Sequence, residues 1–155
     1  MIKELKDMDD DGCEIFQIDE SVFIGKDHQS RAWSKKNENI TIGLTGKQNQ
    51  QSAKMIGAKS NKGNYYYMVQ KGYFNRWDIL KFLKFLKFKN RNNHWGIFWD
   101  NCKTHHAIVV RDYMAENNIS QVFNVPYSPE YNGIELLWAY QKQKFRKQIT
   151  EEKVK

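Results

Sequence analysis

The sequence predicts a single α/β domain on a mixed five-stranded sheet, three antiparallel strands followed by two parallel ones, with helices on both faces. Three observations predict it. The 155 residues, 40% hydrophobic and 14% aromatic, are enough for one packed core and too few for two. The first half carries three strand candidates with no helical pattern between them, which favours antiparallel pairing. The second half alternates strand and helix patterns, which favours parallel strands joined by right-handed crossovers.

The elements follow in order. Residues 1–12 (MIKELKDMDDDG) read as an acidic flexible leader, residues 13–149 as the folded domain and 150–155 as a C-terminal tail. CEIFQIDESVFIG has alternating apolar positions at Ile15 or Phe16 and Ile18, and reads as a strand whose apolar part ends at Asp19. Residues 25–50 are polar, with Trp33 as the one large apolar anchor, and predict irregular structure. SAKMIGAKSNKGNYYYMVQKG reads as two strands around a turn at Asn61, Lys62 and Gly63. From Trp77 to Lys89 the leucines 80, 83 and 86 and the phenylalanines 82, 85 and 88 recur at i+3, with lysines between them, as in a helix. HWGIFWD is nearly all apolar, the pattern of a strand buried on both faces. A helix is predicted from Thr104 to Asn117 with Ile108, Val109, Tyr113 and Met114 inward. QVFNVP reads as the fifth strand and YSPEYNG as a turn-rich loop. The last helix, Gly133 to Ile149, carries Ile134, Leu137, Trp138, Phe145 and Ile149 on one face.

Charge narrows the partner. Residues 1–20 hold two basic and eight acidic side chains, a net −6, while the remaining body holds 23 basic and ten acidic, a net +13. Such a body suits a polyanion, nucleic acid before membrane. No apolar run approaches the roughly 20 residues of a membrane helix. The N-terminus is neither a secretory signal nor a transit peptide. Two cysteines, Cys13 and Cys102, form no disulfide framework and point to a reducing compartment. Cys102 and His105 have a C-x-x-H spacing, but zinc needs about two further ligands and the other candidates are scattered.

Two aspartates end apolar strands, Asp19 and Asp100. In open α/β sheets ligand chemistry gathers at the carboxyl ends of strands. Two such carboxylates side by side repel, and a hard divalent cation is the usual remedy. Glu135, one turn into the last helix, supplies a third. Each also has a plainer explanation. Asp19 fits a strand-end turn, Asp100–Asn101 a helix-capping loop, and Glu135 a capping box with Asn132 three residues earlier.

The combination QIDES, WDNCKTHH and PYSPEYNGIELLW resembles the DDE catalytic domain of mariner-like transposases and related bacterial insertion-sequence transposases. Their pattern is a strand ending in Asp, then a strand ending in Asp-Asn with a His following. Last comes Pro-Tyr-Ser-Pro-x-x-Asn-Pro-Ile-Glu with a Trp three residues on. The resemblance spans about residues 13–147, and the 34 residues between Asp100 and Glu135 are a spacing typical of that superfamily. It implies an RNase H-like fold and two Mg²⁺ or Mn²⁺ ions held by the catalytic carboxylates Asp19, Asp100 and Glu135. The reaction implied is DNA strand cleavage and strand transfer at transposon ends, with one ion activating the nucleophile and the other stabilising the leaving 3′ oxygen. Asn101 and His105 match auxiliary positions, His105 within reach of metal-bound water or a phosphate. Lys142 and Arg31 match family basic residues and, with Arg146, are candidates for DNA phosphate contact. Gly133 stands where the family has Pro, which loosens the first helical position before Glu135.

The resemblance also implies DNA as partner and a homodimer in the complete protein. It implies N-terminal helix-turn-helix recognition domains too, for which the 18 residues before Asp19 leave no room. An intracellular location follows, nuclear in a eukaryote and cytoplasmic in a bacterium. Two alternatives stand beside it: a non-catalytic DNA-binding or interaction module derived from a truncated transposase, and another RNase H-like nuclease such as a resolvase.

Overall fold

Strand β1 (Glu14–Ile24) lies at the centre of the sheet. On one side it pairs antiparallel with β2 (Ser52–Ser60), which pairs antiparallel with β3 (Tyr65–Gln70). On the other side it pairs parallel with β4 (Trp95–Trp99), which pairs parallel with β5 (Ser120–Phe123). The order is β3-β2-β1-β4-β5, and its pairings are those of the mixed sheet the sequence predicts, three antiparallel strands and two parallel ones. The computed structural model describes residues 1–24, 52–91, 93–126, 128 and 131–153. The predicted irregular stretch with Arg31 and Trp33 lies outside them.

Alternation along β1 builds two cores. Phe16 and Ile18 face helices α2 (Arg76–Lys89) and α3 (Ile108–Glu116), joining Ile56, Ile97, Trp95 and Trp99 from the sheet. Helix α2 presents Ile79, Phe82, Leu83 and Leu86 to that core, the spacing of one helical face. Phe85 and Phe88, predicted on the same footing, are exposed instead, because an i+3 series drifts off a 3.6-residue period. Asn75 caps α2, its side chain accepting from Trp77 and Asp78 N–H, and Asp78 answers in a capping box.

The opposite face carries α1 (Ile2–Asp10) and α4 (Ile134–Lys153). The segment expected as a flexible leader is a helix. Met1, Leu5 and Met8 recur along one side of it and pack on Ile15, Phe98 and Val122. Its acidic surface masked that stripe in the sequence. Asn61 secures the helix end to the β2–β3 turn, donating to Asp9 Oδ1 at 2.7 Å and accepting from Ile15 N–H at 3.1 Å. Among the described residues no helix is long and apolar enough to cross a membrane.

Two further expectations are corrected. Asp19 does not end β1; it ends only the stretch near β4, and β1 runs on against β2 to the pair Ile24↔Ser52. Helix α3 starts at Ile108 rather than Thr104, because the chain from Cys102 to Ala107 is drawn into turns that bury His105. Ile108 is consequently exposed, and Val110 with Met114 takes the buried side.

Candidate active site

The site lies where β1 and β4 diverge, on the α4 face of the sheet. Parallel pairing of the two strands stops at Gln17↔Phe98. Asp19 and Asp100 each follow that pair by two residues, so both point to the face that Gln17 and Phe98 share. Asp19, Asp100, Asn101, Asn124, Asn132 and Glu135 line one open cleft of about 520 Å³. The three carboxylates of the sequence pattern therefore line the same cleft.

Asp19 is anchored by the helix above it. Trp138 Nε1 donates to Asp19 Oδ2 at 3.0 Å. The indole reaches that position because Gly57, the β2 partner of Asp19, has no side chain. A Cβ there would stand 2.6 Å from Trp138 Cη2. Phe23 packs edge-on against the same indole. Burial raises the Asp19 carboxyl to about 6 from its ordinary 3.8. The charges of Glu20 and Asp100 push the same way, while the hydrogen bonds from the Glu20 backbone and Trp138 push back.

Asp100 has the opposite environment. It is half exposed, and its Oδ1 accepts from Cys102 N–H at 3.0 Å and faces His105 Nδ1 at 2.9 Å. The hydrogen bond from His105 holds this carboxyl below the usual range. His105 is fully buried, its ring stacked on Trp99 at 4.4 Å with a 2° interplanar angle. Its Nε2 faces Glu20 Oε1 at 3.2 Å. Burial by itself would lower the imidazole, but the two carboxylates outweigh it and raise it to about 10. The expectation that His105 reaches metal-bound water or phosphate is corrected: both ring nitrogens are engaged inside the protein, on the face away from the cleft. The same engagement removes it as a zinc ligand with Cys102, whose Sγ lies 3.1 Å from Thr104 Oγ1.

Asn101 ties the second strand end to the third, donating to the Asn124 carbonyl at 2.6 Å, and Asn124 donates to the Ser128 carbonyl at 2.7 Å. Glu135 is exposed in the first turn of α4. Its N–H donates to the Asn132 carbonyl at 3.1 Å. The Asn132 side-chain oxygen has no partner among the described residues, so the capping box suggested by the sequence is not formed. Gly133 sits against Gln17: a Cβ at this position would stand 2.9 Å from Gln17 Oε1. Lys142 is half-buried on α4 and is not among the cleft-lining residues. Arg146 lies on α4, its side chain outside the described residues, as Arg31 is entirely.

The donor set suits a hard divalent cation. All candidate ligands are oxygens, the Asp19 carboxylate is buried, and two buried amide oxygens, those of Asn124 and Asn132, have no partner among the described residues. Among the described residues no three His, Cys, Asp or Glu side chains are gathered closely enough to hold one ion. Sequence reasoning missed Glu20 as part of the site. Its signal is position: adjacent to Asp19 on a strand, it must face the other side of the sheet.

A mixed sheet of this order, with carboxylates lining a cleft where its central strands diverge, has the architecture of an RNase H-like domain. The sequence model of the family described as DDE superfamily endonuclease matches residues 14–154, and the chain belongs to that family. Solved structures agree on the fold. The Mos1 strand transfer complex superposes with a TM-score of 0.69 at 18% identity, covering 84% of this chain and 41% of that one. The catalytic domain of Mos1 mariner transposase gives 0.64 at 16% identity, covering 93% and 67%. The Mos1 mariner paired end complex with Mn gives 0.68 at 18%, covering 84% and 42%. The chain thus spans about two fifths of the transposase in the strand transfer complex. No curated protein matches it.

Proposed function

We propose that the chain is the catalytic domain of a DDE transposase, cleaving DNA strands at transposon ends and joining them to target DNA. The observation that carries this reading is that Asp19, Asp100 and Glu135 line one cleft, with Asp19 raised to about 6. Two Mg²⁺ or Mn²⁺ ions held by these carboxylates would supply Lewis-acid activation of the attacking hydroxyl and neutralise charge at the leaving 3′ oxygen. The Mos1 catalytic domain has been solved with Mg and with Mn, which supports this choice of cation.

The protein's own groups position and neutralise. Trp138 fixes one oxygen of Asp19, and Cys102 N–H with His105 fixes Oδ1 of Asp100. Asp100 Oδ2 is left uncommitted among the described residues. Glu135 approaches from α4 across the cleft. A cleft walled by carboxylates repels phosphate, while the +13 body attracts it. A cation held by the carboxylates would relieve that repulsion, and DNA engagement would then depend on it. Lys142, Arg146 and Arg31 contact backbone phosphates, giving sequence-independent affinity. Selection of transposon ends belongs to N-terminal helix-turn-helix domains of a longer protein, acting as a homodimer on two ends. The working location is wherever the genome is, the nucleus in a eukaryote and the cytoplasm in a bacterium.

The test is Mn²⁺-dependent nicking of supercoiled plasmid by the purified chain, beside Asp19→Ala and Glu135→Ala. Nicking lost in both variants supports the reading. No nicking together with no calorimetric Mn²⁺ binding refutes it and leaves a non-catalytic DNA-binding module.

A further inference from the structure

The backbone ladder between the two aspartate-bearing strands stops short of the aspartates. Strands β1 and β4 pair from Glu14↔Trp95 to Gln17↔Phe98 and no further. Asp19 is held from the other side by its pairing with Gly57. Asp100 follows the last residue of β4, beyond the Trp99↔Phe123 pair with β5. Side chains close the gap that the ladder leaves open.

Asp19 and Glu20 are neighbours on a strand, so they face opposite sides of the sheet. Asp19 opens into the cleft. Glu20 reaches beneath the sheet to His105 Nε2 at 3.2 Å. The other ring nitrogen, Nδ1, meets Asp100 twice, at the carboxylate Oδ1 (2.9 Å) and at the backbone carbonyl (3.2 Å). Stacking on Trp99 fixes the ring plane. One imidazole thus spans from β1 to both the main chain and the side chain at the end of β4. Packing alone does not call for this arrangement, since an apolar side chain of similar volume would fill the same space. What an apolar residue could not do is aim a carboxylate.

We propose that Glu20 and His105 are positioning residues that hold Asp100 at a fixed separation from Asp19. The proposal rests on the reading of the two aspartates as cation ligands given above. Residues that orient metal ligands through hydrogen bonds typically change metal affinity by about 10–100-fold when removed.

Glu20→Met preserves length and removes the acceptor, while Glu20→Gln preserves an acceptor oxygen for His105. Calorimetric Mn²⁺ binding to the whole chain is measured for both, with thermal unfolding as the control for folding. Glu20→Met is expected to weaken binding by about 10-fold or more, and Glu20→Gln to stay within about threefold of the parent. Parent-like binding by a folded Glu20→Met, or failure of Glu20→Gln to rescue, overturns the proposal. The ¹³C resonance of the Asp100 carboxyl gives a second readout that needs no metal. It should move in Glu20→Met and return in Glu20→Gln, and an unmoved resonance overturns the proposal. Should the parent chain bind no Mn²⁺, the cation reading fails and the carboxyl resonance alone decides whether Glu20 positions Asp100. Should Glu20→Met not fold, Glu20→Ala is read by the same two measurements.

Discussion

Replacing Asp19 with Asn should stabilise the protein at neutral pH while abolishing the proposed chemistry. Burial is the main reason the Asp19 carboxyl is raised to about 6 from 3.8. Below pH 3.8 the group is protonated whether the chain is folded or not. Between 3.8 and 6 the folded chain keeps a proton that the unfolded chain has lost, so stability falls as pH rises through this window. Above 6 the full cost is present. At 1.36 kcal/mol per pH unit the cost is about 3 kcal/mol, and screening by the solvent in the open cleft reduces it to about half. Asn keeps an oxygen to accept from Trp138 Nε1 and carries no charge to desolvate. The expected gain is about 1.5 kcal/mol at pH 8, which raises Tm by about 3–6 °C in a domain of this size. At pH 3.5 the gain should vanish. The assay is thermal unfolding by circular dichroism between pH 3.5 and 8. A variant less stable than the parent at pH 8, or a gain independent of pH, would refute the reasoning. Saturating Mg²⁺ should raise the Tm of the parent and leave that of Asp19→Asn nearly unchanged.

Other expectations follow from the same geometry. Gly57→Ala should cost about 1–3 kcal/mol by pushing the buried Trp138 indole away, and NMR titration should show the Asp19 carboxyl rising further as it loses that donor. Gly133→Pro should gain less than the roughly 0.4–1 kcal/mol that chain stiffening offers, because its Cβ meets Gln17; pairing it with Gln17→Ala should release the full gain in urea unfolding. Leu5→Ala should lower stability by about 1 kcal/mol through lost packing on Ile15, Phe98 and Val122, whereas a flexible leader would show no change. DNA binding by the chain should weaken steeply with salt and be nearly blind to sequence, and Lys142→Ala should reduce the log–log salt slope by about 1, read by fluorescence anisotropy.

Sequence periodicity was a good guide wherever one face of an element is buried and the other wet. The stripe through Phe82 and Leu86 of α2 is of that kind, whereas β4 around Ile97 is legible as an unbroken apolar run because both its faces are buried. It misled where local pattern and tertiary demand differ. The α1 stripe of Met1, Leu5 and Met8 is narrow and surrounded by charge, so composition outweighed it. Helix α3 starts later than its pattern predicts because the pull of His105 into the core leaves no trace in helix propensity.

The candidate site divides in the same way. The sequence by itself singled out the candidate carboxylates, since Asp19, Asp100 and Glu135 stand in a long, specific pattern, and it pointed to a mixed sheet of antiparallel and parallel strands. Only the tertiary structure decided how those carboxylates differ. Asp19 is raised by burial under Trp138, Asp100 is lowered by His105, and Asn132 leaves the cap of α4 unmade. It also decided that His105 belongs beneath the sheet with Glu20 rather than in the cleft. The physical reason is that hydrogen bonds and burial depend on which residues meet across 85 or 119 positions of sequence, as His105 meets Glu20 and Trp138 meets Asp19. Local pattern can fix which way a side chain points from its own strand or helix, but the charge it meets there is set by chain folded in from elsewhere.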